Sequence, residues 1–497
     1  FMKLNYSTYL TKVKGCFIGK NIGGTLGGPF EGKRELLNID GFTTPKGEPL
    51  PNDDLDLQLV WLQAVEEEGP QHVDSETLGE YWLSFITPFW NEYGISKINM
   101  ERGIKPSVAG DMENNIWKHS NGAWIRTEIW ATLCPGAVDT AVKYAIEDAL
   151  VDHGVGEGTY AAAFVAALES AAFFESDIEK LIDIGLAKIS PESRLHSTIK
   201  LVREEYYKGT DWKEVRNKVV ELNKDIGDGW FQAPNNIAFV VIGLLYGKGD
   251  FKKSMLTAVN CGDDTDCTAA TVGSILGIVL GEDGIPTDWK EYIGDRIITC
   301  SINRGCSFRF CNTITDLVRR VSQQVKYCLF TNMDKVELVD GETEISDKER
   351  EAFLKEWSKD DERDDIRSLR YSLKANTFKT KTGVLSTIVT YANGVTYKAG
   401  ETKELEIMAT NRIKAYGNQG HQVKFELVLP EGVTSSSTSK EVYVPCWTPM
   451  TMMAYSETVK FDVTMTKPTS SDVTVLLKVT VLPRNKEYYV PVKFLQK

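Results

Sequence analysis

Two short runs of carboxylates open apolar segments of this chain. The first is Asn52-Asp53-Asp54-Leu55-Asp56, and the second is Cys261-Gly262-Asp263-Asp264-Thr265-Asp266-Cys267-Thr268. A single Asp before a helix satisfies orphan N–H groups and meets the positive end of the helix dipole, so capping accounts for one carboxylate in each run. It accounts poorly for the others, because Asp263, Asp264 and Asp266 repel one another unless solvent, protons or a cation offset the charge. Magnesium or manganese offsets it well, since both prefer carboxylate, hydroxyl and water oxygens. Asp264 and Asp266 lie two positions apart in a turn entering a helix, so both can reach one centre, which Asp53 and Asp54 can close from another helix. Calcium stays open as an alternative, although the twelve-residue EF-hand pattern is absent.

A glycine-rich stretch, 15–32, precedes both runs. No β-rich strand leads into it and its glycines recur at helical spacing, which excludes a dinucleotide fingerprint. Glycines so spaced permit tight helix contacts or bring backbone close to a ligand. Glu31, between Phe30 and Gly32, stands at the mouth of this stretch; taken alone it reads as a surface acid. Farther along, Trp117, Trp124 and Trp130 either line a sugar or base pocket or pack in a core. Arg126 among them either pairs with a diphosphate or with a helix acid.

These residues need elements to position them. Over 9–321 the apolar period is helical, with core-facing helices at 55–65, 160–174, 178–189 and 237–245, and Asp177 able to cap the third. A charge-rich stretch follows, in which Ser346-Asp347-Lys348-Glu349 offers a helix start and Phe353, Leu354 and Trp357 a docking stripe. From about 371 the period changes to that of strands, at 383–390, 403–410, 422–429, 440–445, 458–464 and 472–481, with Pro430, Pro468 and Pro483 in the breaks. The expected organisation is an all-α domain over 1–334, a charged connector with a short helix over 335–370, and a β-sandwich over 371–497.

Composition bounds the partners. At 497 residues and with 10% aromatics the chain is long enough for at least two cored domains, and its formal net charge of -13 argues against nucleic acid as a general partner. No apolar run is long enough to span a bilayer, so no membrane association is expected. Nine cysteines, an odd number without close pairing, fit thiols in a reducing, cytoplasmic compartment. A secreted or periplasmic origin stays open should a signal segment have been removed, and homo-oligomerisation is left open.

Taken together, the stretches 15–31, 52–61, 122–136 and 262–281 resemble, in order, motifs of the ADP-ribosylglycohydrolase family, which includes dinitrogenase-reductase-activating glycohydrolases and crystallin-like relatives. The resemblance spans roughly 13–280 and extends through the remaining helices to about 321. It implies an all-α fold with one or two magnesium or manganese ions between helices, and hydrolysis at the anomeric carbon of a ribose. By the same resemblance, Asn52, Asp53, Asp54, Asp264, Asp266 and Cys267 match metal-ligand positions. Glu31, Asp54 and Asp264 are the expected catalytic residues, and Trp124, Arg126 and Trp130 the candidates for substrate contact.

Two positions depart from the family pattern. Cys267 stands where relatives carry a Thr and is a softer ligand, while Gly24 stands where many carry an Asp. Three functions follow as alternatives. The first is a metal-dependent hydrolase of an ADP-ribosyl or related furanosyl bond, on a small-molecule or protein-linked substrate. The second is a carbohydrate-metabolising glycosidase whose substrate contains no ADP, and the third a non-catalytic sugar- or nucleotide-binding protein.

Overall fold

Glycines at positions 15, 19, 23 and 27 fall on one face of the first helix, Tyr6–Gly27. That face meets the helix Thr265–Leu280 backbone to backbone. A Cβ added at Gly15 would lie 2.3 Å from the carbonyl of Gly277, at Gly19 2.0 Å from that of Gly273, and at Gly27 2.2 Å from that of Thr265. The residue numbers run in opposite senses, so the two helices are antiparallel. The C-terminal end of the first therefore meets the N-terminal end of the second, where the late acidic run begins. Tight contact is thus the role of the glycine-rich stretch.

The helix Asp53–Glu68 starts beside this junction. Asn52 caps it by accepting from Asp54 N at 2.9 Å, and Leu50 N donates to Thr25 Oγ1 of the glycine helix at 3.1 Å. Residues 55–65 are all buried, as expected for a helix enclosed by neighbours on every side. Glu157–Ala171, Ala233–Gly247 and Phe251–Asn260 pack against Thr265–Leu280, and Val138–Ala149 and Ile178–Leu186 pack in turn on the alanine-rich Glu157–Ala171. Asp177 caps Ile178–Leu186 through the amides of Glu179 and Lys180, as its sequence predicts.

The structure, a computed structural model, describes residues 2–227, 229–303, 309–342, 345–357, 374–412, 420–446, 456–466 and 472–497. Two compact units emerge: Phe1–Ile95 with Asn115–Leu373, and Ser96–Asn114 with Lys374–Lys497. The first is almost entirely helical. Its exception is a parallel pair, β1 (Met2–Asn5) with β2 (Val336–Val339), so the stretch after 334 returns to the start of the chain. The helix Asp347–Trp357 follows, at the start signalled by Ser346. Among the described residues no helix is long and apolar enough to cross a membrane.

The second unit is a β-sandwich. One sheet orders β3 (Thr377–Thr382), β4 (Leu385–Tyr391), β6 (Thr402–Asn411), β10 (Ser456–Met465) and β8 (Val433–Thr434) as β3-β4-β6-β10-β8. The other orders β5 (Thr396–Tyr397), β12 (Lys486–Gln496), β11 (Val473–Leu482), β7 (His421–Val428) and β9 (Ser439–Val444) as β5-β12-β11-β7-β9. Alternate residues of the long strands are buried, and Tyr391 of one sheet meets Phe494 of the other edge to face at 5.4 Å. The short segment Ser96–Asn114 groups with these strands: Arg102 pairs with Asp472, and Asp111 accepts from Asn376 N. The proline at 430 falls in a break between strands as expected, whereas β12 contains Pro491. Among the described residues that strand has, beyond β11, a neighbour only at Leu495 and Gln496, so a missing N–H at Pro491 is tolerated on that side.

The helix contact makes a direct prediction. Ala in a helix interior is favoured over Gly by roughly 1 kcal/mol, yet Gly19→Ala is expected to lower stability by about 2 kcal/mol or more, because the clash is with backbone that cannot repack. Thermal denaturation beside Gly41→Ala, where nothing lies within 4 Å of the added Cβ, checks it. Equal melting temperatures for the two variants would contradict the contact.

Candidate active site

At the junction of the three helices a cavity of about 490 Å³ opens. Gly24, Gly28 and Glu31 contribute from the end of the glycine helix, and Leu50, Pro51 and Asp53 from the start of the next. Trp90, Asn91, Glu92 and Tyr93 form another wall with Ser120, Asn121, Gly122 and Ile125. Phe231, Asp264, Asp266, Cys267 and Cys300 complete it.

The late acidic run is shaped by backbone before its side chains act. Gly262 and Asp263 both hold positive φ, at 78° and 67°, which turns the chain sharply from one helix into the next. Asp263 N donates to Lys33 O at 2.7 Å and its carbonyl accepts from Gly32 N at 3.0 Å, pinning the Glu31 loop beside the run. Its own carboxylate is occupied by Asn236 Nδ2 at 2.9 Å. Thr265 Oγ1 donates to Gly27 O at 2.8 Å, which locks the turn to the glycine helix. Asp264 is the N-cap residue, but its carboxylate makes no capping bond. Instead Oδ2 accepts from Asn121 Nδ2 at 2.6 Å, and Asn121 Oδ1 in turn accepts from Trp124 Nε1 at 3.1 Å. The other oxygen, Oδ1, is buried with no hydrogen-bond partner, as is Asp266 Oδ1.

Asp54 lies beneath the cavity wall. Cys267 Sγ donates to its Oδ1 at 3.3 Å, and Lys20 Nζ stands 3.4 Å from Oδ2. That ammonium is fully buried and also pairs with Glu128 at 2.8 Å, while Gln58 joins Glu128 to the backbone of Asp54. Burial alone would lower the Lys20 pKa; the Glu128 and Asp54 carboxylates outweigh it and hold it above its ordinary value. Asp53 faces the cavity and accepts from Tyr93 OH at 3.0 Å.

Charge is crowded here. Burial, and then repulsion from Asp266 and Glu31, raises Asp264 well above the carboxylate range. Asp54 is raised likewise by burial, against the pull of Lys20. Burial followed by Glu31 takes Asp266 up to about 7, and burial with Asp53 and Asp54 takes Glu31 up to about 7. Two groups of three could each hold an ion: Glu31, Asp264 and Asp266, and Asp54, Asp266 and Cys267, the ligand atoms of each lying within 4.8 Å of one another. Asp266 is common to both. Buried unpartnered carboxylate oxygens are costly as they stand, and a hard divalent cation suits them. Cys267 suits it less, since burial and then the neighbouring carboxylates raise its thiol pKa and keep it a protonated donor.

Several expected site residues are placed otherwise. Asn52 spends its amide oxygen on the helix cap and does not line the cavity. Trp124, Arg126 and Trp130 are fully buried and none of them lines it either. Arg126 Nε donates to Asp148 at 2.9 Å and its two terminal nitrogens donate to Asp152 at 3.0 and 2.8 Å, so its charge is consumed inside the protein. Trp130 Nε1 donates to the same Asp148. Residues that sequence reasoning missed include Lys20, Glu92, Tyr93, Ser120 and Asn121. Lys20 had a signal, a lone cation in the otherwise apolar run 15–28. The others had none until the fold brought them to one wall.

A model of the family described as ADP-ribosylglycohydrolase matches residues 5–325. No curated protein is significantly similar to the chain. One solved structure, an "ADP-ribosylglycohydrolase-related protein complex", is 21% identical over 65% of this chain and 99% of its own, with a TM-score of 0.42. Another, the Pseudomonas fluorescens alkylpurine DNA glycosylase AlkC bound to DNA containing an abasic site analog, is 11% identical over 75% and 97%, with a TM-score of 0.15. Neither likeness is close enough to bear on function.

The raised carboxyls set the sign of a metal titration. A cation must displace the protons that Asp264 and Asp266 retain near neutrality, so Mn2+ affinity is expected to rise with pH through about 7, with proton release. Calorimetry in two buffers of different ionisation enthalpy measures both. Asp266→Asn is expected to abolish tight binding, and its metal-free form to melt above the wild type at alkaline pH, where the wild-type carboxylate is ionised at a cost. Binding that does not change with pH would contradict the assignment.

Proposed function

This chain belongs to the ADP-ribosylglycohydrolase family, and from that premise we propose that it is a metal-dependent hydrolase of the bond between the anomeric carbon of an ADP-ribosyl or related furanosyl group and its leaving group. The observation that carries the reading is the pair of buried, unpartnered oxygens, Asp264 Oδ1 and Asp266 Oδ1, of carboxylates that line the same cavity as Glu31. Asp264, Asp266, Asp54 and Glu31 are the residues that would hold one or two Mg2+ or Mn2+ ions, with Asp53 beside them. When bound, a divalent cation supplies positive charge that orients vicinal hydroxyls and polarises the reacting centre.

The remaining roles belong to the chain. Asn121 fixes the direction of the Asp264 carboxylate, and Tyr93 that of Asp53. Lys20 favours the ionised form of Asp54 from beneath. Glu31, the most exposed carboxyl of the cluster and raised to about 7, takes the proton of the attacking water. Trp90 and Phe231 offer apolar surface at the cavity for a sugar ring.

One observation favours the second reading, a glycosidase whose substrate lacks ADP. Among the described residues the cavity is lined by the five carboxyl groups of Glu31, Asp53, Glu92, Asp264 and Asp266, and by no Lys, Arg or His. A diphosphate finds no cationic side chain there, whereas an uncharged glycoside needs none.

A release assay separates the readings. ADP-ribosylated protein, ADP-ribose derivatives and simple furanosides are incubated with the enzyme and Mg2+ or Mn2+, and the freed sugar is measured. Turnover of the furanosides alone selects the second reading; no release from any substrate sinks both. Asp264→Asn is expected to cut turnover by about 100-fold or more while the helical content by circular dichroism stays unchanged. Cys267→Thr, which replaces a soft donor by a hydroxyl, is expected to lower the Mg2+ concentration needed for half-maximal activity; an unchanged requirement would make Cys267 a packing residue.

A further inference from the structure

A second buried array stands against another wall of the same cavity. Glu92 lines that wall, only 5% exposed, with Oε2 buried and without a hydrogen-bond partner. Its Oε1 lies 3.8 Å from His153 Nε2. Ser120 also lines the cavity, and its Oγ is 3.2 Å from the same nitrogen. Behind them His153 Nδ1 is 2.9 Å from Asp152 Oδ1, and Arg126 donates to both oxygens of Asp152. The array is built to close tolerance. A Cβ at Gly122 would fall 2.2 Å from Glu92 Oε1, and one at Gly158 would fall 2.3 Å from the His153 ring.

We propose that Glu92 is the proton donor to the leaving group, positioned by Ser120 and by the buried His153-Asp152-Arg126 chain. This rests on the glycoside-hydrolase reading above and extends it to a second carboxyl outside the metal cluster. Glycoside hydrolysis asks for two carboxyl groups in different environments, one acidic and one basic. Glu92 is in the apolar, enclosed one: burial raises its pKa, although His153 opposes the rise. A buried carboxyl whose Oε2 has no partner in the protein leaves that oxygen for the substrate, and donates to it when it carries a proton.

Two other uses of the array fail. Glu92, Asp152 and His153 come close enough to hold an ion, but Asp152 already has both oxygens on Arg126 and His153 Nδ1 faces Asp152. The Ser120-His153-Asp152 order is that of a nucleophilic triad, yet the Nε2 that would take the serine proton also faces the Glu92 carboxyl at 3.8 Å, and Arg126 holds both oxygens of Asp152.

The step balances. The bond from the anomeric carbon to the leaving atom breaks with its electron pair going to that atom, which takes the proton from Glu92 Oε2. Water oxygen bonds the anomeric carbon and gives a proton to Glu31. The elements of one water are divided between the two products, and Glu31 returns its proton to solvent while Glu92 regains one.

The test compares leaving groups. Wild type and Glu92→Gln, as the full chain with Mg2+ and Mn2+ present, are assayed on methyl and on 4-nitrophenyl ribofuranosides and arabinofuranosides. The methyl compounds need a proton on departure; nitrophenolate leaves without one. E92Q is expected to lose on the order of 100- to 10,000-fold in kcat on the methyl compounds and far less on the nitrophenyl ones. The alkaline limb of the methyl kcat profile should disappear with it. Equal losses on both classes, with Mn2+ binding intact, overturn the donor role and leave the hydrolase reading standing. No turnover of either class by the wild type overturns the donor role on furanosides, and the release assay on ADP-ribosyl substrates then decides the hydrolase reading. Should E92Q not fold, Ser120→Ala gives the second measurement: a smaller loss confined to the methyl compounds supports the proposal, and a loss as large on the nitrophenyl compounds overturns it.

Discussion

The backbone contact between Tyr6–Gly27 and Thr265–Leu280 is the constraint on which the site depends. Side chains of ordinary size at Gly15, Gly19, Gly23 and Gly27 would force the helices apart by ångströms. Held together, they deliver the Glu31 loop, the Asp264 turn and the cap of Asp53–Glu68 to one junction. The bonds that finish it are short-range consequences of that approach: Thr265 to Gly27, Asp263 to Lys33, Leu50 to Thr25. Carboxylates separated by more than 200 residues in the chain thus become neighbours without any loop having to hold them alone.

Two buried cations divide the electrostatic work differently. Arg126 is saturated: Asp148, Asp152 and the carbonyl of Gly122 take its nitrogens, and Asp152 is held down to about 2. Lys20 is not equal to its surroundings, since Asp54, Glu128 and the raised Glu169 all crowd it, while Asp264 and Asp266 lie beyond it with no cation of the protein's own. A buried charge without a partner costs several kcal/mol in an apolar setting, so such groups hold protons instead. The Arg126 group is therefore matched in charge, and the group beyond Lys20 is an acidic cluster that protons or a cation must complete.

What the sequence displayed, it displayed through period and composition. Glycines every four residues, alternating strand residues and paired acidic runs are local patterns, and the helices at 55–65 and 237–245 and most strands of the sandwich follow from them. The cap functions were legible in type but not in detail: Asn52, expected as a ligand, caps the helix, and Asp264, readable as a cap, turns its carboxylate away. Trp124, Arg126 and Trp130 shared a segment with true cavity residues, Asn121 and Ile125, but helical turns there put alternate side chains inside and outside. Nothing local distinguishes Arg126, clamped by two aspartates, from an arginine waiting for a phosphate. β12 was hidden by Pro491 and the grouping of Ser96–Asn114 with the strands by distance along the chain.

Gly24 and Cys267, the two departures from the pattern that the resemblance implies, converge on Asp54. At Gly24 a Cβ would lie 2.0 Å from Asn52 Nδ2, so the space that a side chain at 24 would take is filled by the amide that caps the next helix. Asn52 cannot both fill that space, with its Oδ1 on Asp54 N, and turn its oxygen toward the cavity. Cys267 completes the change from the other side, its thiol bonded to Asp54 Oδ1. Both substitutions thus bear on Asp54, which sits deepest, and neither touches the free oxygen of Asp264, whose partner is Asn121. The group formed by Glu31, Asp264 and Asp266 consists wholly of carboxylate oxygens and is the stronger of the two for a hard cation; the group of Asp54, Asp266 and Cys267, with a thiol in place of an oxygen, is the weaker.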